Sequence, residues 1–473
     1  MRRQTRRDFL ATSAAGIAAL ALPRVAWPAP AASSTFWTFV SEPTLKPPTL
    51  SVATLTDPAP GLVFFSTLTG PGQRGPMIVD DHGNVVWFRK TDEVAINVRR
   101  QSFHGQQVLT WWQGAIDDAL GFGQGVGLIV DRNYQTVASV KAGNGHQVDV
   151  HEFLLTAKGT ALVTVYSPKT VDLTPVGGPA AHTTLDSIVQ EIDVATGKLL
   201  FEWHSLDHVP LTDSYSPILD PYDYFHVNSI DVALDGNLLV SARNTSCVYK
   251  LDRKTGDVIW RLGGRTSDFE SGPGAAFMYQ HDARQRPDGT ITIFDDGTGD
   301  LTHPSRAIRL AVDESARRAT LLEEYGHQAP PLTSSAMGNA QVVPGGGMFV
   351  GWGSSPYVTE FGPTGDVRFE ATFPGGATVY RAYRNRWVAE PALRPALAVK
   401  GATAYASWNG STETVWWRVQ GGSTAASLAP IATVRKAGFE TAIKLKERPK
   451  VVAVTALDAK KRELASSRAV ATA

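Results

Sequence analysis

The sequence is almost without cysteine. Cys247 is the only one in 473 residues, so no intrachain disulfide can form and stability must come from the core. Net charge is also missing: 45 Lys and Arg balance 45 Asp and Glu, which gives no electrostatic footprint of a nucleic-acid partner or an anionic membrane. Helix-period runs are few. The one sustained apolar run, Ala11–Leu22, has 12 residues, too short to span a bilayer, and no later segment is a candidate for a stable membrane anchor. What is abundant is glycine (43), proline (29) and hydrophobic residues (43%). That balance points to an all-β chain with a large core and more than one domain.

The first 31 residues read as a targeting segment outside the fold. "TRRDFL" (Thr5–Leu10) places the twin arginines Arg6 and Arg7 before the apolar run, and a small-residue site follows at Ala29–Pro30–Ala31. The pattern resembles a bacterial twin-arginine signal, which implies the twin-arginine export machinery as a partner and a periplasmic or extracellular destination. Cleavage after Ala31 removes five arginines and one aspartate, taking the mature chain from 0 to −4.

A strand–turn–strand phrase then recurs, from "GPMIVDDHGNVVWF" through "CVYKLDRKTGDVIWRL" to "YVTEFGPTGDVRFEATF". Its anchors Asp81, Asp131, Asp193, Asp252, Asp313 and Pro363 are 50, 62, 59, 61 and 50 residues apart. A second hairpin, such as "HEFLLTAKGTALVTVY" or "HDARQRPDGTITIFDD", lies in each interval. Two hairpins per period make a four-stranded blade, so the six periods predict a six-bladed β-propeller. The domains are then an N-terminal extension over 32–59, the propeller over 60–388 and, after "RNRWVAEPALRPAL", a C-terminal β-sandwich of the immunoglobulin or fibronectin kind over 389–473.

Three of the 11 histidines begin the same strand of consecutive blades: His151, His226 and His281. Equivalent strand ends of a propeller converge on one mouth of its channel. Seven residues past each turn glycine stand Trp112, Tyr166, Arg243 and Asp296. In "YDYFHVNSIDVALDGNLLVSARNTS" (222–246), a two-residue loop at Asp235–Gly236 would place Asn228 opposite Arg243, with His226 in diagonal reach. The same logic pairs His281 with Asp296, a carboxylate that can fix its tautomer. Three imidazoles and a guanidinium around one cavity can hold a small oxyanion and supply a nucleophile or an acid. A three-histidine metal site, as in a hydrolase or lactonase, is an alternative. Arg243 counts against it, because a guanidinium beside a dication is unfavourable. A non-catalytic propeller that binds an anionic or aromatic ligand is another.

In order along the chain, "DVHEF", "DYFHVNSID", "LLVSARN", "VIWRLGG", "QHDARQRPDGTITIFDDG" and "WNGSTETVWW" resemble the PAPS-independent arylsulfotransferases. The resemblance implies transfer of a sulfuryl group from an aryl sulfate donor to a phenolic acceptor through a sulfated histidine, with no cofactor and no metal. It implies His281 as nucleophile, with His151, His226, Asn228 and Arg243 holding the sulfate and the leaving oxygen. Asp296, Tyr166 and Trp112 complete the expected substrate-binding set. One departure is visible: the sandwich follows the propeller here, whereas well-characterised bacterial relatives carry their extra β-domain in front.

Overall fold

The computed structural model describes residues 35–117 and 121–472; the expected twin-arginine segment lies outside the described residues. Six sheets of propeller type, each built on four antiparallel strands, follow one another along the chain. Five are built from consecutive strands. Their innermost strands are Val94–Phe103, Phe153–Leu155, Val227–Val232, His281–Gln285 and Asn339–Val342. The sixth sheet closes the ring, because its innermost strand Tyr383–Asn385 comes from the far end of the repeat and pairs with Leu62–Phe65, Phe64 opposite Tyr383. Ser51–Leu55, in the stretch expected to be an extension ahead of the propeller, adds a fifth strand to the last blade by pairing with Val367–Thr372.

Each blade is covered on both faces by its neighbours, which explains why the second strands Leu238–Ala242 and Ile291–Asp295 are buried throughout, even where they carry Ser241, Thr292 or Asp295. Trp203, Trp260 and Trp352 fill spaces in this packing and are almost fully buried; truncating one to alanine costs about 3–5 kcal/mol.

Beyond the ring, Ala396–Lys400, Thr403–Ser407 and Glu440–Lys444 form one sheet. Trp416–Gly422, Ala429–Arg435, Val451–Leu457 and Glu463–Ser466 form a second. Trp408, Trp417, Val419, Ile443 and Val454 are the core of this sandwich. It is clasped to the propeller through "WNGS": Asn409 accepts from Phe88 N–H at 3.0 Å and donates to Phe88 O at 2.8 Å. Tyr134 adds a bond to Gly410 O at 2.9 Å. That motif is therefore structural.

The hairpin at 222–246 differs from the expected register. Gly236, at φ 88°, closes a three-residue loop in which Gly236 N–H donates to Ala233 O, a turn followed by a left-handed bulge rather than a two-residue loop. The partners are therefore Ile230 with Val240 and Val232 with Leu238. A second bulge between Val227 and Ser229 shifts the strand again, so His226, not Asn228, meets Arg243, whose N–H donates to His226 O at 2.9 Å.

Candidate active site

The innermost strands break regularity at the same end. Bulges fall at Ile96/Arg99, Val227/Ser229 and His281/Arg284. Asn97, His226 and Asp282 there have φ of 60°, 57° and 54°. Backbone held in this region is uncommon for such residues and is retained where surrounding structure demands it. Its effect is to turn successive polar side chains toward the channel axis.

His151, His226, His281, Arg243 and Tyr380 line one cavity of about 670 Å³. The rings of His151 and His226 are 4.7 Å apart. Each of the three histidines has its Nδ1 held by a carboxylate: His151 by Asp149 at 2.6 Å, His281 by Asp296 at 2.6 Å, and His226 by Asp223. All three therefore turn Nε2 away from their carboxylates. His281 Nε2 accepts the Met337 N–H at 3.2 Å, which puts the lone pair on Nε2 and the proton on Nδ1, where Asp296 accepts it.

Charge in the cavity is controlled by burial. Desolvation pushes His281 well below the ordinary histidine range, and Arg243 and the other two imidazoles push the same way. Burial also lowers His226, although Asp223 opposes it. Burial raises Asp296, with Arg243 pulling it down. Asp149 is also buried, yet His151 and the Gly123 N–H hold it below its ordinary value. The result is a neutral His281 beside a permanent cation. Arg243 is aimed by bonds to Asn244 Oδ1 (2.8 Å) and Ser335 O (2.9 Å) and by the Tyr279 ring 4.8 Å away. Its Nε is buried without a hydrogen-bond partner among the described residues.

The other expected residues stand behind this surface. Tyr166 packs its ring 5.5 Å from His151 and 5.8 Å from His226 and bonds Val227 O at 2.8 Å. Asn228 is fully buried, donates to Gln280 O at 2.6 Å and leaves its Oδ1 without a partner among the described residues. Trp112 does not reach the cavity. Its indole is part of the core with Phe153 and Val163 and bonds Val148 O at 2.8 Å. A Cβ on Gly125 would come within 2.8 Å of it, so this face of the strand is filled with ring, not substrate. His327 does not line this cavity; it is buried and bonds Pro330 O at 2.7 Å.

Several residues escaped the sequence reading. Asp149 and Asp223 stand two and three residues before their histidines, a spacing that could have been read. Tyr380 and Arg381 form the floor: Tyr380 bonds His151 O and Asn228 O, each at 3.3 Å, and Arg381 donates to Asn228 O at 2.8 Å. Below them Glu152, wholly buried, meets Arg99 at 2.5 Å, Arg381 at 3.3 Å and Arg284. Although burial opposes it, these guanidinium groups hold Glu152 far below the usual carboxylate range. Leu68, Val94, Ile96 and Ile116 give the cavity an apolar wall, and Arg74, Asp92 and Glu93 stand with them in the lining. Among the described residues, no group of three or more His, Cys, Asp or Glu side chains is arranged to hold a metal ion.

A family profile described as arylsulfotransferase (ASST) matches residues 99–374. No curated protein sequence matches the chain. Among solved structures, it is similar to a protein of unknown function from Bacteroides caccae, with 12% identity and a TM-score of 0.44, covering 69% of this chain and 100% of that one. A catalytically inactive virginiamycin B lyase from Staphylococcus aureus, solved with quinupristin, is 10% identical with a TM-score of 0.36, covering 76% and 96%. The Cps50 (Swd1) β-propeller domain of Myceliophteria thermophila is 11% identical with a TM-score of 0.31, covering 67% and 97%.

Proposed function

The chain belongs to the arylsulfotransferase family, and on that premise we propose that it transfers a sulfuryl group from an aryl sulfate to a phenol through N-sulfated His281. The single observation that carries the reading is the buried His281, with Nδ1 on Asp296 and its Nε2 lone pair met only by the Met337 N–H at 3.2 Å, in one cavity with Arg243.

A sulfate monoester is anionic and stable in water, so transfer needs charge neutralisation, a nucleophile and a proton for the leaving oxygen. Arg243 supplies the fixed positive charge in a site partly shielded from water, where such contacts contribute most. The donor's ring lies on the apolar wall of Val94, Ile96 and Ile116. His281 Nε2 attacks sulfur, the S–O(aryl) bond breaks, and the aryl oxygen leaves with its electron pair. Met337 N–H, freed from Nε2, then stands beside the sulfuryl oxygens. His226 or His151, protonated on both nitrogens with its Nδ1–H on Asp223 or Asp149, gives the departing oxygen the Nε2 proton and is left neutral. In the second half, an acceptor phenol returns a proton to that imidazole, its oxygen attacks sulfur, and the N–S bond breaks to restore the lone pair of His281. Export through the twin-arginine route, to the periplasm or beyond, is part of the same proposal and rests on Arg6 and Arg7.

The test is a chromogenic aryl sulfate with and without added phenol. Ping-pong kinetics, no nucleotide sulfate requirement and full activity in EDTA are expected. His281→Ala should abolish both transfer and trapping of a sulfated protein. Turnover by that variant, or strict dependence on a divalent metal, overturns the reading.

A further inference from the structure

The innermost strands all run the same way, from the histidine cavity to the other mouth of the channel. His151 precedes Phe153–Leu155, His226 precedes Val227–Val232, Met337 precedes Asn339–Val342, and Tyr380 precedes Tyr383–Asn385. Their far ends enclose a second cavity of about 360 Å³, lined among others by Arg99, Arg100, Arg284, Arg286 and Asp282. The Glu152–Arg381 layer separates the two cavities.

Four guanidinium groups and one carboxylate therefore line the far mouth. Arg99 and Arg284 are engaged inward with Glu152, and Arg284 also with Asp282 at 2.8 Å. Arg99 is nine-tenths buried, and among the described residues its Nε has no acceptor. Arg100 and Arg286 are only partly exposed and line the cavity. Among the described residues neither side chain has a hydrogen-bond, ion-pair or ring partner. Asp231 lies near Arg284 but does not line the cavity. Two partnerless guanidinium groups in a confined, positively biased cavity are a fork-shaped donor array without its acceptor. The volume leaves room for a hydrated compact anion.

We propose that this far mouth binds a compact inorganic oxyanion of the sulfate or phosphate class, held chiefly by Arg100 and Arg286. The site is independent of the histidine cavity and of the transfer reaction assigned to it. The anion bridges the two free guanidinium groups and supplies the negative charge that the cavity lining lacks.

Equilibrium dialysis of the full chain with radiolabelled sulfate, at fixed ionic strength in chloride, tests this. An Arg243→Gln background removes the principal anion ligand of the upper cavity. There, one sulfate per chain should bind and be displaced by inorganic phosphate. Adding Arg100→Gln and Arg286→Gln should remove that sulfate. In the otherwise unmodified protein the same pair should lower sulfate stoichiometry by one and leave aryl sulfate turnover unchanged. Sulfate at about twenty times its dissociation constant should raise the thermal unfolding midpoint of the Arg243→Gln protein by about 2 °C, and equivalent chloride should not. Absence of saturable sulfate binding in the Arg243→Gln background overturns the proposal. So does binding, or a thermal shift, that survives loss of both Arg100 and Arg286.

Discussion

Replacing Asp296 by asparagine isolates the tautomer of His281. A carboxylate only accepts, so the 2.6 Å bond to Nδ1 keeps the proton there and the lone pair on Nε2. An amide of the same shape can present its NH2 to Nδ1, which then becomes the acceptor and sends the proton to Nε2. The nucleophile is lost with no change in volume. On the proposed mechanism the carboxylate would also stabilise the positive charge that spreads over the ring as Nε2 bonds to sulfur. A charge-assisted hydrogen bond of this kind contributes about 1.5–3 kcal/mol, so the first half-reaction should slow by about 10- to 150-fold. The assay is single-turnover release of a chromogenic phenol with enzyme in excess and donor affinity measured separately. Affinity should change little, since Asp296 lies behind His281 and does not line the cavity. A folded Asp296→Asn protein that releases phenol within about threefold of the parent rate would refute the argument.

His226→Asn should slow donors with poorly acidic leaving phenols much more than donors such as nitrophenyl sulfates, whose phenolates need no proton; equal losses across a leaving-group series would remove His226 from the acid role. Glu152→Gln should lower stability at pH 7 by about 3–5 kcal/mol, because it leaves buried arginines without their counter-charge. Glu152 is depressed in the folded state, so its contribution is complete above the unfolded value of about 4.3 and shrinks as pH falls below it. Denaturant titrations of both proteins from neutral pH downward should therefore converge, and a difference independent of pH would contradict the ion-pair account. Changing Arg6 and Arg7 to Lys should leave the precursor in the cytoplasm, as read by fractionation; normal export of the double variant would rule out the twin-arginine assignment.

How far the sequence was legible depends on what kind of regularity carries each feature. The blades follow from repetition, which survives a slip of one residue. Side-chain facing does not survive it, since strand periodicity is two and a bulge reverses it. The expected contact of His281 with Asp296 exists, although the strand partner of His281 is Phe294; the bulge at Asp282 and the reach of the carboxylate restore what the register moved. The same irregularity puts His226 opposite Arg243 and sends Asn228 beneath the cavity. Trp112 occupies the equivalent position in its own repeat, but its blade is lined with glycines that accept an indole, and position in the repeat says nothing about that. Tyr380 and Arg381 stood outside the pattern because they precede the strand that closes the ring, which belongs to no hairpin of its own.

That closure imposes an order on biosynthesis. When residue 281 leaves the ribosome, all three histidines exist and so does Arg243. Nothing yet lies beneath them, because Tyr380 and Arg381 have not been made and Leu62–Phe65 has no inner neighbour. The earliest blade thus waits for one of the last strands of the ring, a pairing across more than three hundred residues that has to await most of translation. A chain cut short before Tyr380 would carry the three histidines and Arg243 without the residues that close the cavity beneath them.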